Sequence, residues 1–446
     1  MAVLRCCGIL ASRAGGLHAD MIKAAAFYAK ALDVRALQPL ADWFAVGVAI
    51  SLPWSTTATG ILVVLWLLAV LPSLELTAIK RELFSAAGGL PVILWALATL
   101  GLLWADVSWS ERLGGYSSFH RLLAIPLLLA QFRRSGHGMR VLIGFFASVT
   151  GVLLLSWLLV LFPGLPWRSS EYGVPVKDYI LQSGNFLICA FVLLELAIDD
   201  SRVGRWRSVA VLSALGAMFL ANIVFVATGR TALLVAPVLA VLLGWRRFRW
   251  KGLLGAVLVA GILGGAAPLM SPYLNARLKT SVAEVYAFKK DAALNSTSMH
   301  LQFLKESLGF VASAPLIGHG TGSIAAQFRK AAAGKTGAAG VASVNPHDQI
   351  LAVGIQLGLL GIAVLIAMWV AHVMLFRGIG LTAWIGMVVV VQNIVSSAFN
   401  SHLFDFTQAW LYIFGVGVAG GMALRQRDFR IVQRRAENHE ADPLTA

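Results

Sequence analysis

The feature that most constrains this chain is its succession of apolar runs, each close to the length a bilayer demands. A spanning helix needs roughly 20 apolar residues and satisfies its backbone polar groups internally. Runs of this kind lie at 41–57, 59–75, 84–105, 117–132, 139–163, 177–198, 207–227, 231–246, 252–270, 347–375, 380–399 and 407–424. The expected fold is an all-α polytopic membrane protein with about 12 transmembrane helices and one large, partly helical outer loop. Composition agrees: 58% of residues are hydrophobic and 13% are charged, against about 25% charged in soluble domains. A soluble helical protein of this make-up would leave too much apolar surface in water.

Charge orients the bundle. The net charge is +15, and 23 of the 36 basic residues fall in segments that alternate onto one side when the N-terminus is inside. The positive-inside rule makes that side cytoplasmic. The basic residues therefore report topology first, and nucleic acid is not an expected partner. The resulting division is a cytoplasmic segment 1–40, helices over 41–270, a large outer loop 271–346, helices over 347–424 and a cytoplasmic tail 425–446. The loop is too long for a simple connection. Its eight basic and three acidic residues (Glu284, Asp291, Glu306) leave an excess of +5. An anionic ligand or a face beside acidic lipid accounts for it equally well.

The three cysteines, Cys6, Cys7 and Cys189, fit no metal spacing and no disulfide framework. The opening residues lack an apolar core before a small-residue cleavage site, so the first span is expected to act as the insertion signal.

The chemistry-bearing stretch is Asn345-Pro346-His347-Asp348, followed by Gly358-Leu359-Leu360-Gly361. Asn345 suits an N-cap and Pro346 the first helical position, which would put His347 in the first turn at the outer surface. A helix N-terminus favours neutral imidazole, and a neutral histidine can take a proton from a hydroxyl. A histidine that only caps a helix or sits among headgroups is the other reading.

The spacing of His347, Gly358 and Gly361 resembles the signature of the O-antigen ligase and O-antigen polymerase superfamily of bacterial envelope enzymes. Thr228-Gly229-Arg230-Thr231-Ala232-Leu233-Leu234 is similar to that family's arginine motif. Residues 307–323, SLGFVASAPLIGHGTGS, resemble its Pro-leading, Gly-rich segment, and 400–410, NSHLFDFTQAW, its polar loop before the last span. Two positions depart from the pattern. Asp348 stands where Asn, Ser or Gln is common. Met299-His300 stands where an arginine is frequent, so His300, or Arg277 or Lys279 elsewhere in the loop, would supply that charge.

The resemblance implies glycan transfer from undecaprenyl diphosphate-linked O-antigen to the lipid A-core oligosaccharide, at the periplasmic face of a bacterial inner membrane. The loop 271–346 would then be periplasmic. The implied roles are His347 as general base and Arg230, with Arg277 or His300, on the diphosphate. Arginine suits diphosphate because it binds oxygens bidentately and stays charged. Asp348 is a candidate substrate-binding group on either the diphosphate or the acceptor side, and Asp405 would orient His347 or hold an acceptor amine or hydroxyl, although it also suits a helix cap. Arg121 either faces the donor phosphates or anchors at the interface, and His319 is expected to be a loop residue. Outer acidic residues form no Asp-x-Asp pair, and Asp199-Asp200 lies inside, so metal-independent transfer with inversion is expected, without cofactor. The polymerase of the same superfamily is the alternative. A secondary transporter is a weaker one, because the spans show neither inverted repeats nor paired central charges.

Overall fold

The fold comes from a computed structural model, which describes residues 34–167, 171–227, 229–270, 275, 276, 279 and 296–440. It is helical throughout, with no strand among the described residues. The N-terminal half contains α1 (Val34–Ser51), α2 (Thr56–Ser73), α3 (Leu76–Leu83), α4 (Ala86–Gly101), α5 (Trp109–Tyr116), a 3-10 turn (His120–Leu123), α6 (Ala124–Arg134) and α7 (Gly138–Leu161). Then come α8 (Tyr179–Arg202), α9 (Trp206–Phe225), α10 (Arg230–Met270), α11 (Ser296–Ser313) and α12 (Ile324–Ala332). The chain continues through α13 (Gln349–Leu375), α14 (Leu381–Ser396) and α15 (Phe406–Glu440).

Among the described residues, seven helices are long and apolar enough to cross a membrane, and eight if the bent pair α3–α4 counts as one span. About twelve were expected, and the shortfall has physical causes. Residues 117–132 do not form one helix: a 3-10 turn leads into α6, whose 11 residues cover roughly 16 Å of a core about 30 Å thick. Helix α14 is apolar but has only 16 residues. The span expected at 84–105 is α4 alone, with 16 residues, and it meets the preceding α3 at 81°. The expected pair 231–246 and 252–270 is two helices that meet at a kink at Arg249, which has φ 53° and ψ −133°; only residues 230–255 pass as a long apolar span.

Helix α8 forms the centre, with 83% of its apolar window buried. Trp384 of α14 donates to the Phe191 carbonyl at 2.9 Å and Gln392 to that of Gly184 at 3.1 Å. These bonds matter because a donor left unpaired in an apolar interior costs about 1–3 kcal/mol. Helix α15 lies against α6, where Gly421 lets the backbones approach: a Cβ there would come within 2.9 Å of the Arg133 amide and the Leu129 carbonyl. Small residues serve this purpose between membrane helices. Leu68, Val211 and Leu254 instead project outward, exposed on α2, α9 and α10.

The two ends of the bundle differ. At one end buried Glu82 meets Arg81 and Arg133, and Arg133 also holds Asp428 through two bonds of 2.8 and 2.9 Å. Buried Glu195 meets Arg246 and Arg247, and Arg246 continues to the Gly378 and Gly380 carbonyls. These arginines are among the basic residues that the charge alternation groups on one side. At the opposite end, Lys177 donates to the Leu52 carbonyl at 2.6 Å and to Thr407, and the loops that carry His347 and Asp405 meet.

Candidate active site

Helix α13 is broken at Gly358, which has φ 63° and ψ −161°. The break strands backbone groups on both sides, and residues 315–320 satisfy them. The His319 and Gly320 amides donate to the Ile355 and Gln356 carbonyls at 2.8 and 2.9 Å. The Leu359 and Leu360 amides donate to the Pro315 and Leu316 carbonyls at 2.7 and 3.3 Å. The two segments touch at glycine: a Cβ on Gly358 would lie 2.4 Å from the Leu316 carbonyl, and one on Gly318 would lie 2.5 Å from the Leu357 amide nitrogen. Both glycines also have positive φ, which a side chain disfavours. The Gly-x-x-Gly motif and the Gly-rich segment are thus two halves of one joint. His319 belongs to it, with its Nε2–H donating to the Phe310 carbonyl at 2.9 Å.

His347 does not open the helix. Asp348 is the N-cap, its carboxylate accepting from the Leu351 amide at 2.8 Å. His347 precedes the cap with φ 57°, a conformation costly for a residue with a side chain. Asn345 and Pro346 therefore lie outside the helix rather than at its first positions. Asn345 instead holds the turn: its Oδ1 accepts from the His347 amide at 2.9 Å and from Ser401 Oγ at 2.8 Å, while its Nδ2 donates to Asn400 Oδ1 at 2.8 Å. Gln349 adds two bonds, from its amide to the Ser397 carbonyl and from the Leu403 amide to its Oε1, each at 2.8 Å. Residues 397–403 thus strap the histidine turn from a segment some fifty residues away.

Helix α11 supplies the next wall. Its Phe303 packs with Phe328, Ala352 and Ile355 in a small apolar core. Burying each phenylalanine contributes roughly 2 kcal/mol, enough to seat α11 on α13. The His347 ring stacks on Phe303, with centroids 5.9 Å apart and planes 17° from parallel. His300, one helical turn earlier, meets the same imidazole edge-on at 4.5 Å.

Arg230 is the first residue of α10 and is exposed. The helix start presses on α8, where a Cβ on Gly229 would come 2.3 Å from Ser183 Oγ. The Arg230 guanidinium has no ion pair or hydrogen bond among the described residues, and its charge reaches His300. Desolvation first and Arg230 second hold His300 below the ordinary histidine range. Desolvation, then His300, hold His347 low as well, opposed by hydrogen bonding with the Asn400 side chain. Burial pushes the Asp348 carboxyl up, against the two backbone bonds it accepts. Partial burial, rather than the helix terminus expected from the sequence, is the leading cause at His347.

The other expected site residues are placed differently. Arg121 donates to the Asp405 and Phe404 carbonyls at 3.1 and 3.5 Å and lies over the Phe406 ring. Asp405 caps α15, one oxygen accepting from the Gln408 amide at 2.9 Å. Arg277 lies outside the described residues; Lys279 is exposed. Asn400 and Phe303 were not anticipated as neighbours of His347. Asn400 begins a stretch singled out for its polarity, but its pairing with Asn345 has no local pattern. Among the described residues no group of three or more His, Cys, Asp and Glu side chains could hold a metal ion.

No curated protein matches the chain at a significant level. Residues 215–366 match the family model described as O-Antigen ligase. That stretch, from within α9 to the middle of α13, contains Arg230, His300, His347 and the Gly358 break, and its match supports the O-antigen ligase superfamily.

Proposed function

We propose that the chain is an O-antigen ligase, which moves a glycan from an undecaprenyl diphosphate carrier to a sugar hydroxyl of the lipid A-core oligosaccharide. The observation that carries this reading is the convergence of Arg230, His300 and His347. They come from three separate segments of the matched region and stand in sequence, with the free cation at one end and the base at the other.

The acceptor hydroxyl gives its proton to neutral His347 as its oxygen attacks the anomeric carbon. The bond from that carbon to the diphosphate oxygen breaks, and the configuration inverts. Charge develops on the departing diphosphate. Arg230 binds it through two parallel N–H donors, and His300 adds a single N–H donor. Asn345, Asn400 and Phe303 hold the imidazole still, which matters because small misplacements of a reacting group cost large factors in rate. No step requires a metal. The active site faces the periplasm of a bacterial inner membrane, the side where the carrier-linked polymer resides.

The direct test is a knockout in the native host with gel analysis of lipopolysaccharide. Loss of all polymer bands, restored by the wild-type gene and not by a His347→Ala variant, is expected. A core carrying a single repeat unit would instead identify a polymerase, and restoration by His347→Ala would overturn the assignment of the base.

A further inference from the structure

A second cavity of about 460 Å³ opens at the same end of the bundle. Its size falls within the ~300–1,000 Å³ of small-molecule sites. Asn345, Pro346 and Asn400 form the wall shared with the histidine turn. Glu111, Ser118 and Asp405 lie elsewhere on its lining. His347 is next in the chain to Pro346 and bonded to Asn345, so a sugar seated here would lie one residue from the proposed base.

The charge of this cleft is opposite in kind to that of the Arg230–His300 side. Its lining contains two carboxylates and no Lys, Arg or His. The cations whose charge reaches these carboxylates are already engaged. Arg329 pairs with Glu111; Arg121 and Lys177 both act on Asp405, but Arg121 donates to the Phe404 and Asp405 carbonyls and Lys177 to the Leu52 carbonyl and Thr407. The Arg329 bond holds the Glu111 carboxyl below the usual range, so it stays ionised. The second oxygen of Asp405 and the Ser118 hydroxyl have no hydrogen-bond partner among the described residues. Pro346 and Phe404 offer apolar surface to the C–H face of a ring.

We infer that this cleft is the acceptor subsite and that it selects a neutral or amino-bearing sugar over a phosphorylated one. The inference rests on the glycan-transfer reading and adds the acceptor's charge class. A phosphate here would face two carboxylates without a cation to bind it, whereas a hydroxyl or ammonium finds the unpartnered oxygen of Asp405. The separation also keeps donor and acceptor apart: the diphosphate is held by Arg230, and the acceptor approaches past Asn400.

Gly114 makes the test clean. It lines the cleft on α5, and a Cβ there meets nothing within 4 Å, so a larger side chain starts from open space at the cavity wall. The purified full chain in detergent is titrated with methyl glucoside, glucosamine and a phosphorylated glucose, with binding read by saturation-transfer NMR. Wild type is expected to bind the first two about tenfold more tightly than the third, a difference of about 1.4 kcal/mol. Gly114→Leu should abolish binding of all three. Gly114→Lys should reverse the order, and Asp405→Asn, which keeps a good helix cap, should narrow the gap between glucosamine and the phosphorylated sugar. Equal or tighter binding of the phosphorylated sugar by wild type overturns the proposal. So does unchanged binding in Gly114→Leu, or no binding of any probe at tens of millimolar. Glycan transfer by His347→Ala reports separately on the underlying reading: normal transfer there overturns that reading, whatever the sugars do.

Discussion

His300 and His347 cross edge to face with ring centroids 4.5 Å apart, one on a helix of the long loop and the other in the turn before α13. After desolvation, His300 is the next cause that holds His347 below the ordinary histidine range, and the neutral form of His347 is the one a general base requires.

Replacing His347 by alanine should lower glycan transfer by about 10²–10⁴-fold, the usual contribution of positioned acid–base catalysis. Donor binding and the amount of folded protein should change little, because the ring contributes no hydrogen bond to the joint at Gly358. Single-turnover transfer in proteoliposomes checks both. Loss of donor binding together with transfer would show that His347 binds rather than reacts.

The pH profile follows from the same pair. His347 acts when deprotonated, so kcat/KM should rise with pH through its pKa and then level off. That pKa is held below the ordinary value of about 6.5, so the acid limb should lie below pH 6.5. His300→Ala removes part of the desolvation and the neighbouring charge, so the limb should move toward higher pH. A limb that stays put in His300→Ala would show that the two rings do not interact.

Arg230 has no competing partner among the described residues, so its cost should appear in donor recognition. Arg230→Ala should raise the donor KM by about tenfold to a hundredfold, the scale of one or two charge-assisted hydrogen bonds. Arg230→Lys should recover part of this, since a point charge cannot form the two parallel bonds. An unchanged donor KM in the alanine variant would remove Arg230 from the diphosphate site.

Gly358→Ala tests the joint. The new Cβ would sit 2.4 Å from the Leu316 carbonyl at a φ of 63°. That positive φ with ψ −161° is a region essentially restricted to glycine and alone costs about 1–3 kcal/mol, and the clash adds to it. The expected result is a thermal midpoint several degrees lower in detergent and little transfer. Gly309→Ala, on an open helical face of α11, serves as the control and should leave both unchanged or slightly improve stability. Equal behaviour of the two variants would argue that the break is not required.

Transfer should persist in EDTA, because the reaction as written is driven by one base and fixed cations. Loss of activity that Mg²⁺ or Mn²⁺ restores would require a different mechanism.

Much of the candidate site is readable along the chain, and some is not. Arg230 and His347 are identified because each sits in a short pattern, and such patterns are local; His300 stands only as one of three substitutes, with Arg277 and Lys279, for an arginine the pattern lacks here. The segment Asn345-Pro346-His347-Asp348 contains two residues with N-cap chemistry, so local preference cannot choose between them. The choice of Asp348 is made by contacts from afar: the Ser397 carbonyl takes the Gln349 amide, and Asn345 is drawn off to bond Asn400 and Ser401. The same holds for Asp405 and Arg121. Their types suit a substrate, but their neighbours engage them as a helix cap and as a clamp on the 404–405 backbone.

The number of spans shows the same boundary. Hydropathy alone is enough to make the chain a membrane bundle, because apolar side chains and internally satisfied helices belong together in lipid, whatever the tertiary packing. The alternation of charge likewise sets which ends gather, and Glu82, Glu195 and their arginines do gather at one end. Whether a given apolar run is one long helix, two bent pieces or a short one depends on where the backbone can break and find new partners. Helix α13 breaks at Gly358 because residues 315–320 complete its hydrogen bonds. The opposition of His347 to His300, and the cleft beyond Asn400, follow from that packing. Such contacts between distant segments have no period and no fixed spacing, so they were decided only in the folded chain.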